Sequence, residues 1–444
     1  MAQRIAPLSG FPEYLPAARI VELRVIDTLR ETFELHGFAS IQTRSVEPLE
    51  QLSRKGEITK EVYAVRRLHA DEGDAGTLGL HFDLTVPFAR YVLENSGKLN
   101  FPFRRYQIQP AWRGERPQEG RYREFWQADI DIVGEDALAA HHDAEVVLVM
   151  LEALGRLHDQ FGIPDALMRI NNRKLIQGFY EGLGVADPLA VIQVVDKLDK
   201  IGPSAVGELL AGQGVAADVV TQILALASIS STSDSFIDEV RALGVTNDLL
   251  EIGLVELSAL LAAVNAQFPG RAVVDLKIAR GLDYYTGSVF EVELPQWRSL
   301  GTVSAGGRYD ALASDGRHTY PGVGISFGVT RSLAPQLLAG NLSATRSTPS
   351  AVLVAVDDEE SRASANAVAA SLRTRGIPCE VSPNSSAYGK QIKYADRRGI
   401  PYVWFGGPQG QVKDIRTGSQ ADAQASEWTP PTEDLLPRVI VIEA

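Results

Sequence analysis

The chain has 444 residues, 45% of them hydrophobic and 22% charged, proportions that are typical of a globular protein. This length exceeds what one core usually organises, so we expect two or three domains. A net charge of −13 excludes nucleic-acid binding by overall charge, although it is compatible with a local basic face. The single cysteine excludes an internal disulfide framework. No apolar stretch reaches signal-peptide or membrane-span length, so the sequence predicts a cytoplasmic protein without membrane contact.

The first third of the chain predicts helices combined with an antiparallel sheet. Residues 16–36 place apolar side chains at helical spacing, and Gly37 ends this helix. Residues 38–134 contain short alternating runs broken by Gly, Pro and Asp, the pattern of strands and loops. A second, long helix is predicted over 137–161, before Gly162.

The middle of the chain predicts an insertion and then a domain boundary. Residues 185–265 are rich in Ala and Leu and predict a helical insertion. Strand character returns at 271–332, and a break follows at Ser343–Pro349. We therefore expect one domain over 1–343 and another over 344–444.

The tail from about residue 350 alternates strands with helices, which predicts a small α/β domain of parallel type. The strands are AVLVAV, PCEVS and YVWF, and the helices cover 359–375 and 387–398. The second helix is the most basic of the chain, with Lys390, Lys393, Arg397 and Arg398. Two interpretations stay open for it: a solvated helix face, or a surface that faces RNA.

Residues 112–134, WRGERPQEGRYREFWQADIDIVG, predict two strands joined by an exposed loop, RPQEG. Arg113 lies on one strand, while Gln127, Asp129 and Asp131 alternate onto one face of the other. An arginine on a sheet can clamp a phosphate, and Gln127 and Asp131 can orient an amine or a ring N–H. The alternative is a charged hairpin with cross-strand ion pairs.

Residues 279–292, ARGLDYYTGSVFEV, combine a turn with an alternating run. Arg280 offers a planar fork of donors for a carboxylate or phosphate. Tyr284 and Tyr285 offer flat apolar walls with hydroxyl tips. This segment indicates a pocket for a small anionic ligand with a planar ring, or else a hairpin with a surface arginine and two core tyrosines.

Two glycine-rich segments follow, SAGGRYDAL at 304–312 and PGVGISFGVTRSL at 321–333. Glycines there allow close backbone approach near Tyr309, and Arg331 stands at an apparent helix start. Such glycines mark packing more often than a site. Neither segment has the spacing of a dinucleotide site or a P-loop, so a nucleotide would be held by arginines on a sheet.

Metal and nucleophile signals are weak in this sequence. His141 and His142, with Glu145 nearby, lack the spacing of zinc ligands and are better explained as a helix start. Cys379 stands in a predicted strand without a histidine close in sequence, so we expect a buried thiol with a structural role. No structural metal is expected.

These motifs together resemble class II histidyl-tRNA synthetases from about residue 10 to the C-terminus. The RGLDYYTG segment is similar to the family's histidine-binding signature, WRGERPQEGRYREF to its motif 2, and PGVGISFGVTR to its motif 3. HFDLTVPFARY, INNRKL and VDKLDK resemble the variant shared with eukaryotic-type members. The basic tail resembles the class II anticodon-binding domain.

The resemblance implies an α+β catalytic domain with an antiparallel six- or seven-stranded sheet flanked by helices, a helical insertion and a C-terminal α/β anticodon-binding domain, in a homodimer. It implies a two-step reaction. The carboxylate of L-histidine attacks the α-phosphate of ATP, which arrives with Mg²⁺, and the adenylate then passes the histidyl group to the terminal ribose of tRNA(His).

The resemblance also carries over residue roles. Histidine contacts fall on Asp83, Thr85, Arg113, Gln127, Asp131, Arg280, Tyr284, Tyr285 and Tyr309. ATP contacts fall on Arg113, Glu115 and Arg331, and the catalytic residues are Arg113 and Arg280. Contacts to tRNA are expected from Arg116, Gln118, Lys390, Lys393 and Arg397.

Two departures and two alternatives accompany this interpretation. Arg44 stands where motif 1 normally carries a proline, with Pro48 four residues later, and SGFPEY replaces the usual RGxxD entry. One alternative is the regulatory paralogue that senses histidine for ATP phosphoribosyltransferase, which is expected to lack the anticodon domain. The other is an unrelated α/β metabolic enzyme whose tail serves only for dimerisation.

Overall fold

Two compact units make up the computed structural model, which describes residues 6–53, 61–69, 76–278, 284–314 and 316–442. The first unit contains the chain up to Pro12 together with Ile26–Pro335. The second contains Glu13–Val25 together with the chain from Gln336 onward. Each unit has its own sheet and its own buried apolar residues.

The described part of the first unit contains twelve strands. They are β1 (Ala39–Ser40), β2 (Val46–Pro48), β3 (Ala64–Val65), β4 (Leu78–Leu80), β5 (Phe103–Trp112), β6 (Glu124–Val133), β7 (Leu167–Asn172), β8 (Ser230–Ser231), β9 (Ala272–Asp275), β10 (Ser288–Glu293), β11 (Ser304–Tyr309) and β12 (Gly322–Gly328). Nine of them form one sheet in the order β1-β5-β6-β12-β11-β10-β7-β9-β8, and β2-β4-β3 form a small second sheet.

The six central strands of the large sheet, from β5 to β7 in that order, pair antiparallel. The outer strands β1 and β9 join β5 and β7 in parallel. The prediction of an antiparallel sheet is therefore confirmed for its centre, while its edges are mixed.

Eleven α-helices lie in the described part of the chain up to Ala339. They are α1 (Pro16–Leu35), α2 (Leu49–Leu52), α3 (Thr85–Asn95), α4 (His141–Phe161), α5 (Arg173–Gly182), α6 (Pro188–Val195), α7 (Leu198–Gly212), α8 (Ala217–Ala227), α9 (Ser235–Ala242), α10 (Asp248–Gln267) and α11 (Val329–Ala339). Short 3₁₀ helices occur at Ser96–Lys98 and Pro295–Leu300. The predicted first helix and the predicted helical insertion are confirmed.

The β5–β6 hairpin has two buried faces of opposite character. The register pairs Arg105 with Asp131, Gln107 with Asp129, and Gln109 with Gln127. All six of these side chains are buried although they are polar. The alternate residues of β6, Ala128, Ile130 and Ile132, are buried apolar side chains. Because side chains alternate along a strand, one face of the hairpin packs as core and the other forms a buried polar surface.

Helix α4 begins four residues later than the sequence predicted, at His141. The reason is Arg308, whose guanidinium donates to the carbonyl oxygens of Leu138 and Ala139, each at 3.0 Å, and to Asp143 at 2.7 Å. The carbonyl oxygens of the segment before the helix thus accept hydrogen bonds from an arginine of β11 instead of forming helical hydrogen bonds. The helix ends as predicted, at a left-handed Gly162.

The insertion ends in α10, which packs closely on α5 of the same unit. A methyl group on Gly253 would lie 2.2 Å from the backbone nitrogen of Leu175, and one on Gly178 would lie 2.3 Å from that of Leu250. Among the described residues α10 is also long and apolar enough to cross a membrane by length and composition alone. Since α10 contacts α4, α5, β7 and β9, we interpret it as a core helix.

Arg44, which replaces the expected motif 1 proline, takes part in an ion-pair network. It donates to Glu47 at 2.9 Å, and Arg90 donates to the other carboxylate oxygen of Glu47 at 2.8 Å. Glu47 is fully buried, and Arg90 also pairs with Glu94 at 2.6 Å. Arg44 therefore has a local role, because it pairs with a buried carboxylate of β2.

In its described residues, the second unit contains the predicted parallel strands and four antiparallel strands that were not predicted. Its strands are β13 (Leu342–Ala344), β14 (Val352–Val354), β15 (Cys379–Val381), β16 (Tyr402–Phe405), β17 (Gln409–Asp414), β18 (Gln420–Gln424) and β19 (Val439–Val441), and its helices are α12 (Arg362–Thr374), α13 (Tyr388–Arg398) and α14 (Thr432–Leu435). β15, β14 and β16 pair in parallel, whereas β17 and β18 extend the sheet antiparallel, and β13 pairs antiparallel with β19. Cys379 is buried in β15 as expected, and burial raises the pKa of its thiol.

Candidate active site

A cavity of about 440 Å³ lies in the first unit against β6, β11 and β12. Ten residues that the sequence predicted to bind histidine or ATP line it: Asp83, Thr85, Arg113, Glu115, Gln127, Asp131, Tyr284, Tyr285, Tyr309 and Arg331. The eleventh, Arg280, lies outside the described residues. The volume is in the range of small-molecule sites, about 300–1,000 Å³. Residues that are far apart in sequence, from Asp83 to Arg331, are thus brought to one cavity.

Asp131 is the centre of a buried polar cluster at one side of the cavity. The Tyr309 hydroxyl donates to Asp131 Oδ1 at 2.7 Å, and Arg105 Nη2 lies 2.6 Å from Asp131 Oδ2. Arg105 is fully buried, with its guanidinium carbon 4.3 Å from the centre of the Phe88 ring. Burial, together with Asp131, raises the pKa of Tyr309 well above its usual value, so its hydroxyl stays protonated as a donor.

Asp129 lies between Gln127 and Asp131 on the same face of β6, and it also lines the cavity. Burial raises the pKa of Asp129 to about 7; Asp131 and Asp83 add to the rise, while Arg105 and a hydrogen bond from Ser326 oppose it. Ser326 Oγ also accepts a hydrogen bond from the Gln127 amide at 2.5 Å. The serine therefore links the two neighbouring side chains of β6.

Asp83 and Thr85 reach the cavity from the start of α3. Asp83 Oδ1 accepts from the backbone N–H of Val86 at 3.1 Å, as a residue that caps a helix does. This bond fixes the carboxylate at the helix start, where Thr85 is the first helical residue. The cavity thus has three buried carboxylates, those of Asp83, Asp129 and Asp131, with the buried cation of Arg105 beside them.

Tyr284 and Tyr285 form an aromatic pair, with ring centres 4.2 Å apart. Burial raises the pKa of Tyr285 well above its usual value. A methyl group on Gly307 would lie 2.8 Å from the Tyr285 ring, and one on Gly324 would lie 2.1 Å from Asp131 Oδ1. The absence of a side chain at Gly307 in β11 and Gly324 in β12 therefore leaves space for Tyr285 and Asp131. The sequence pattern alone had suggested only a general packing role for these glycines.

Two arginines line the cavity near the loop of the β5–β6 hairpin. Arg113 Nε donates to the carbonyl oxygen of Phe82 at 3.0 Å, and its guanidinium carbon lies 5.0 Å from the centre of the Phe125 ring. Arg331 Nε donates to the carbonyl oxygen of Leu300 at 2.9 Å. Each arginine is thereby oriented by a backbone carbonyl.

Glu115 and Arg121 also line this part of the cavity, with Arg121 Nη1 3.4 Å from Glu115 Oε2. Both belong to the segment between β5 and β6, and a backbone bridge from Gln118 to Arg121 closes its loop. Arg116 and Gln118 are exposed at this loop. Lys390, Lys393 and Arg397 are exposed on α13 in the second unit. These five predicted tRNA contacts are accessible, but they do not belong to the cavity.

Arg105 and Asp129 lie in the site but were absent from the predicted site residues. The signal was present in the hairpin: with the strands in register, Arg105 pairs with Asp131 across the ladder, and Asp129 repeats the spacing of Gln127 and Asp131. Within the described part of the chain, no group of three or more His, Cys, Asp or Glu is arranged to hold a metal ion.

Comparisons with known proteins agree with this geometry. A family model described as Histidyl-tRNA synthetase matches residues 10–331, and one described as Anticodon binding domain matches residues 350–427. The chain is 63% identical to a Histidine--tRNA ligase of Cutibacterium acnes, over 98% of this chain and 99% of the relative. It is 56% identical to a Histidine--tRNA ligase of Micrococcus luteus, over 98% of each. A crystal structure of histidyl-tRNA synthetase from Nostoc sp. PCC 7120 matches with a TM-score of 0.82 and 32% identity, over 95% of this chain and 97% of that one.

The antiparallel sheet has one cavity arginine in the β5–β6 hairpin and another in α11, and a separate domain with its own sheet follows. Together with the two family matches, this arrangement defines a class II aminoacyl-tRNA synthetase. Within that class the chain belongs to the histidyl-tRNA synthetase family, and its activity is that of a histidine–tRNA ligase. The full-length match and the anticodon-binding domain exclude both alternatives, the regulatory paralogue and the unrelated metabolic enzyme.

Proposed function

We propose that L-histidine binds at the carboxylate side of the cavity and Mg²⁺-ATP at the arginine side, so that the histidine carboxylate meets the α-phosphate between them. The distribution of charge supports this assignment. Asp83 and Asp131 suit the α-ammonium and the imidazole N–H of histidine, whereas Arg113 and Arg331 suit phosphates. Mg²⁺ binds together with ATP, and the metal ion adds positive charge at the phosphates.

Recognition of histidine is assigned to buried polar side chains. An apolar amino acid in the same site would leave these side chains without hydrogen-bond partners. Asp83 and Thr85 hold the α-ammonium, and Gln127 and Asp131 hold the rest of the amino acid. Tyr284, Tyr285 and Tyr309 enclose the imidazole ring. A site with buried polar partners rejects an analogue that cannot pair with them by up to about 10⁴-fold.

Adenylate formation brings one anion to another, so it requires fixed positive charge at the α-phosphate. Arg113 is assigned to the α-phosphate, Glu115 to the adenine and Arg331 to the remaining phosphates. Arg280 is assigned, on its sequence motif, to a position between the histidine carboxylate and the α-phosphate. The carboxylate oxygen bonds to the phosphorus, the bond to the bridging oxygen breaks, and pyrophosphate leaves with its electron pair.

The second step passes the histidyl group to the 3′-terminal ribose of tRNA(His). Arg116 and Gln118 contact the acceptor end, and Lys390, Lys393 and Arg397 contact the tRNA from the second unit. Residues 1–343 act as the catalytic domain and 344–444 as the anticodon-binding domain. The enzyme works as a homodimer in the cytoplasm.

Histidine-dependent exchange of pyrophosphate into ATP tests the first step directly. We expect exchange by the purified protein with Mg²⁺ and L-histidine, and none with L-phenylalanine or without an amino acid. Lack of exchange with histidine under these conditions would contradict the proposal.

Arg113→Lys tests the assignment of the α-phosphate contact. Lysine keeps the charge but loses the planar fork that Phe82 and Phe125 orient, so we expect exchange to fall by about 10²- to 10³-fold. Arg156→Lys is the matched control, because Arg156 pairs with Glu152 on α4, away from the cavity. An Arg113→Lys rate within a few-fold of wild type would refute the role given to Arg113.

A further inference from the structure

We propose that Asp129 binds the α-ammonium of histidine directly, as a specificity residue that family motifs did not assign. This inference rests on the proposed function, because it needs histidine in this cavity. It adds one carboxylate to the contacts already given to Asp83 and Thr85.

The first support is the position of Asp129 on its strand. Residues 127, 129 and 131 of β6 project to one face and all line the cavity. Asp129 is 1% exposed, and its Oδ1 has no hydrogen-bond partner in the described part of the chain. A buried carboxylate oxygen without a partner is costly, so such an oxygen at a cavity wall indicates a missing donor.

The second support is a matching acceptor beside it. Gln127 Oε1 is also buried without a hydrogen-bond partner in the described residues. Ser326 accepts from the Gln127 amide nitrogen and hydrogen-bonds the Asp129 carboxyl, and one buried oxygen of each side chain is left without a partner among the described residues. Two neighbouring acceptors require a ligand with at least two donors, and an ammonium group carries three N–H bonds.

The third support is the charge of the surroundings. The charged and titratable groups that face Asp129 are Arg105 from β5, Asp131 on its own strand, Asp83 before α3, and Tyr309 from β11. Arg105 already pairs with Asp131 at 2.6 Å, so this arginine is shared among carboxylates that outnumber it. A cationic ligand beside Asp129 supplies further positive charge, and the raised pKa of Asp129 is the expected property of a carboxyl that awaits it.

The ammonium is favoured over the imidazole as the group that Asp129 binds. Asp129 faces Asp83, whose position at the start of α3 is the one assigned to the α-ammonium. A neutral imidazole offers one N–H donor, whereas the ammonium offers three donors and a full charge. If Asp129 binds the ammonium, its contribution to affinity disappears when the ligand lacks the α-amine. If Asp129 binds the imidazole, its contribution remains.

The test compares two ligands on one substitution. Binding of L-histidine and of 3-(imidazol-4-yl)propanoate, which lacks the α-amine, is measured by calorimetry on the full-length wild-type protein and on Asp129→Asn. We expect the variant to bind histidine about 10- to 100-fold more weakly, the loss of one charge-assisted hydrogen bond, and the amine-free analogue as wild type does. Asp159→Asn, the same change at an exposed position of α4, is the control.

A second variant separates the carboxylate from its support. Ser326→Ala keeps Asp129 but removes the hydroxyl that links it to Gln127, so we expect the same selective loss, smaller in size. Equal losses for both ligands in Asp129→Asn, or no loss for either, would overturn the inference. Failure of the wild-type protein to bind histidine would instead overturn the proposed function.

Discussion

At the scale of the residue, Asp129 shows how a binding site can reduce stability. Its pKa is raised to about 7, largely by burial, whereas an exposed aspartate titrates near 4. Between these values the folded state binds a proton that the unfolded state has lost. Stability therefore falls as the pH rises from about 4 to 7, and the penalty is complete above 7. Such a penalty is the usual consequence of preparing a charge for a ligand.

The side-chain amide that Asp129→Asn introduces has no charge to bury, so the substitution removes this penalty. In the absence of ligand we expect a higher melting temperature than wild type at pH 8 and a much smaller difference at pH 5. Thermal unfolding in both buffers measures the effect, with Asp159→Asn as the control. A gain that is the same at both pH values would show that ionisation of Asp129 is not its cause.

At the scale of the element, the packing of α10 on α5 depends on backbone contact. Gly178 and Gly253 let the two helices approach until a glycine of each lies against the backbone of the other. Helix α10 also contacts β7, so it belongs to the core that packs against the large sheet. The close approach explains why a helix of the insertion belongs to the first unit.

Gly253→Ala tests this contact. The added methyl group would lie 2.2 Å from the backbone nitrogen of Leu175, which cannot move without its helix, so we expect a loss of about 1–3 kcal/mol in the free energy of unfolding. Gly155→Ala on α4 is the control, since its methyl group meets nothing within 4 Å and should stabilise by about 0.5–1 kcal/mol. Denaturant unfolding measures both. Equal effects would contradict the close packing.

At the scale of the whole molecule, we propose that the first unit carries out the chemistry on histidine and contacts the acceptor end of the tRNA, while the second unit adds tRNA contacts of its own. Gln391 fixes helix α13 to the segment that follows β14: its amide donates to the carbonyl oxygen of Val356 at 2.8 Å, and its oxygen accepts from the Val356 N–H at 3.0 Å. Lys390 and Lys393 are exposed on the same helix. A basic helix held in this way can offer its charges to phosphates without ordering itself first.

Reversal of these charges should separate the two steps of the reaction. For Lys390→Glu combined with Lys393→Glu, we expect histidine-dependent exchange as in wild type and a fall of at least about tenfold in kcat/KM for tRNA(His) at low salt, with a weaker dependence on salt. The double variant to arginine keeps the charges and serves as the control. A parallel loss of exchange, or charging equal to wild type, would rule out the tRNA contact.

Local patterns predicted much of the fold. The first helix, the helical insertion, the parallel strands of the tail and the helix ends at Gly37 and Gly162 follow from periodicity and from residues that tolerate positive φ. The start of α4 and the β17–β18 hairpin were missed. The first depends on Arg308, 170 residues away from Leu138, and the second on pairing with β16.

The site shows the same division. Sequence motifs were enough to predict the family and ten cavity-lining residues, because each motif is contained in a short segment of the chain. The folded structure was needed to show that Arg105 is buried against Asp131, that Ser326 hydrogen-bonds both Gln127 and Asp129, and that Asp129 has an unsatisfied oxygen among the described residues. The physical reason is that burial and cross-strand partners are properties of the folded neighbourhood, and these set the charge and the hydrogen-bonding need of a side chain.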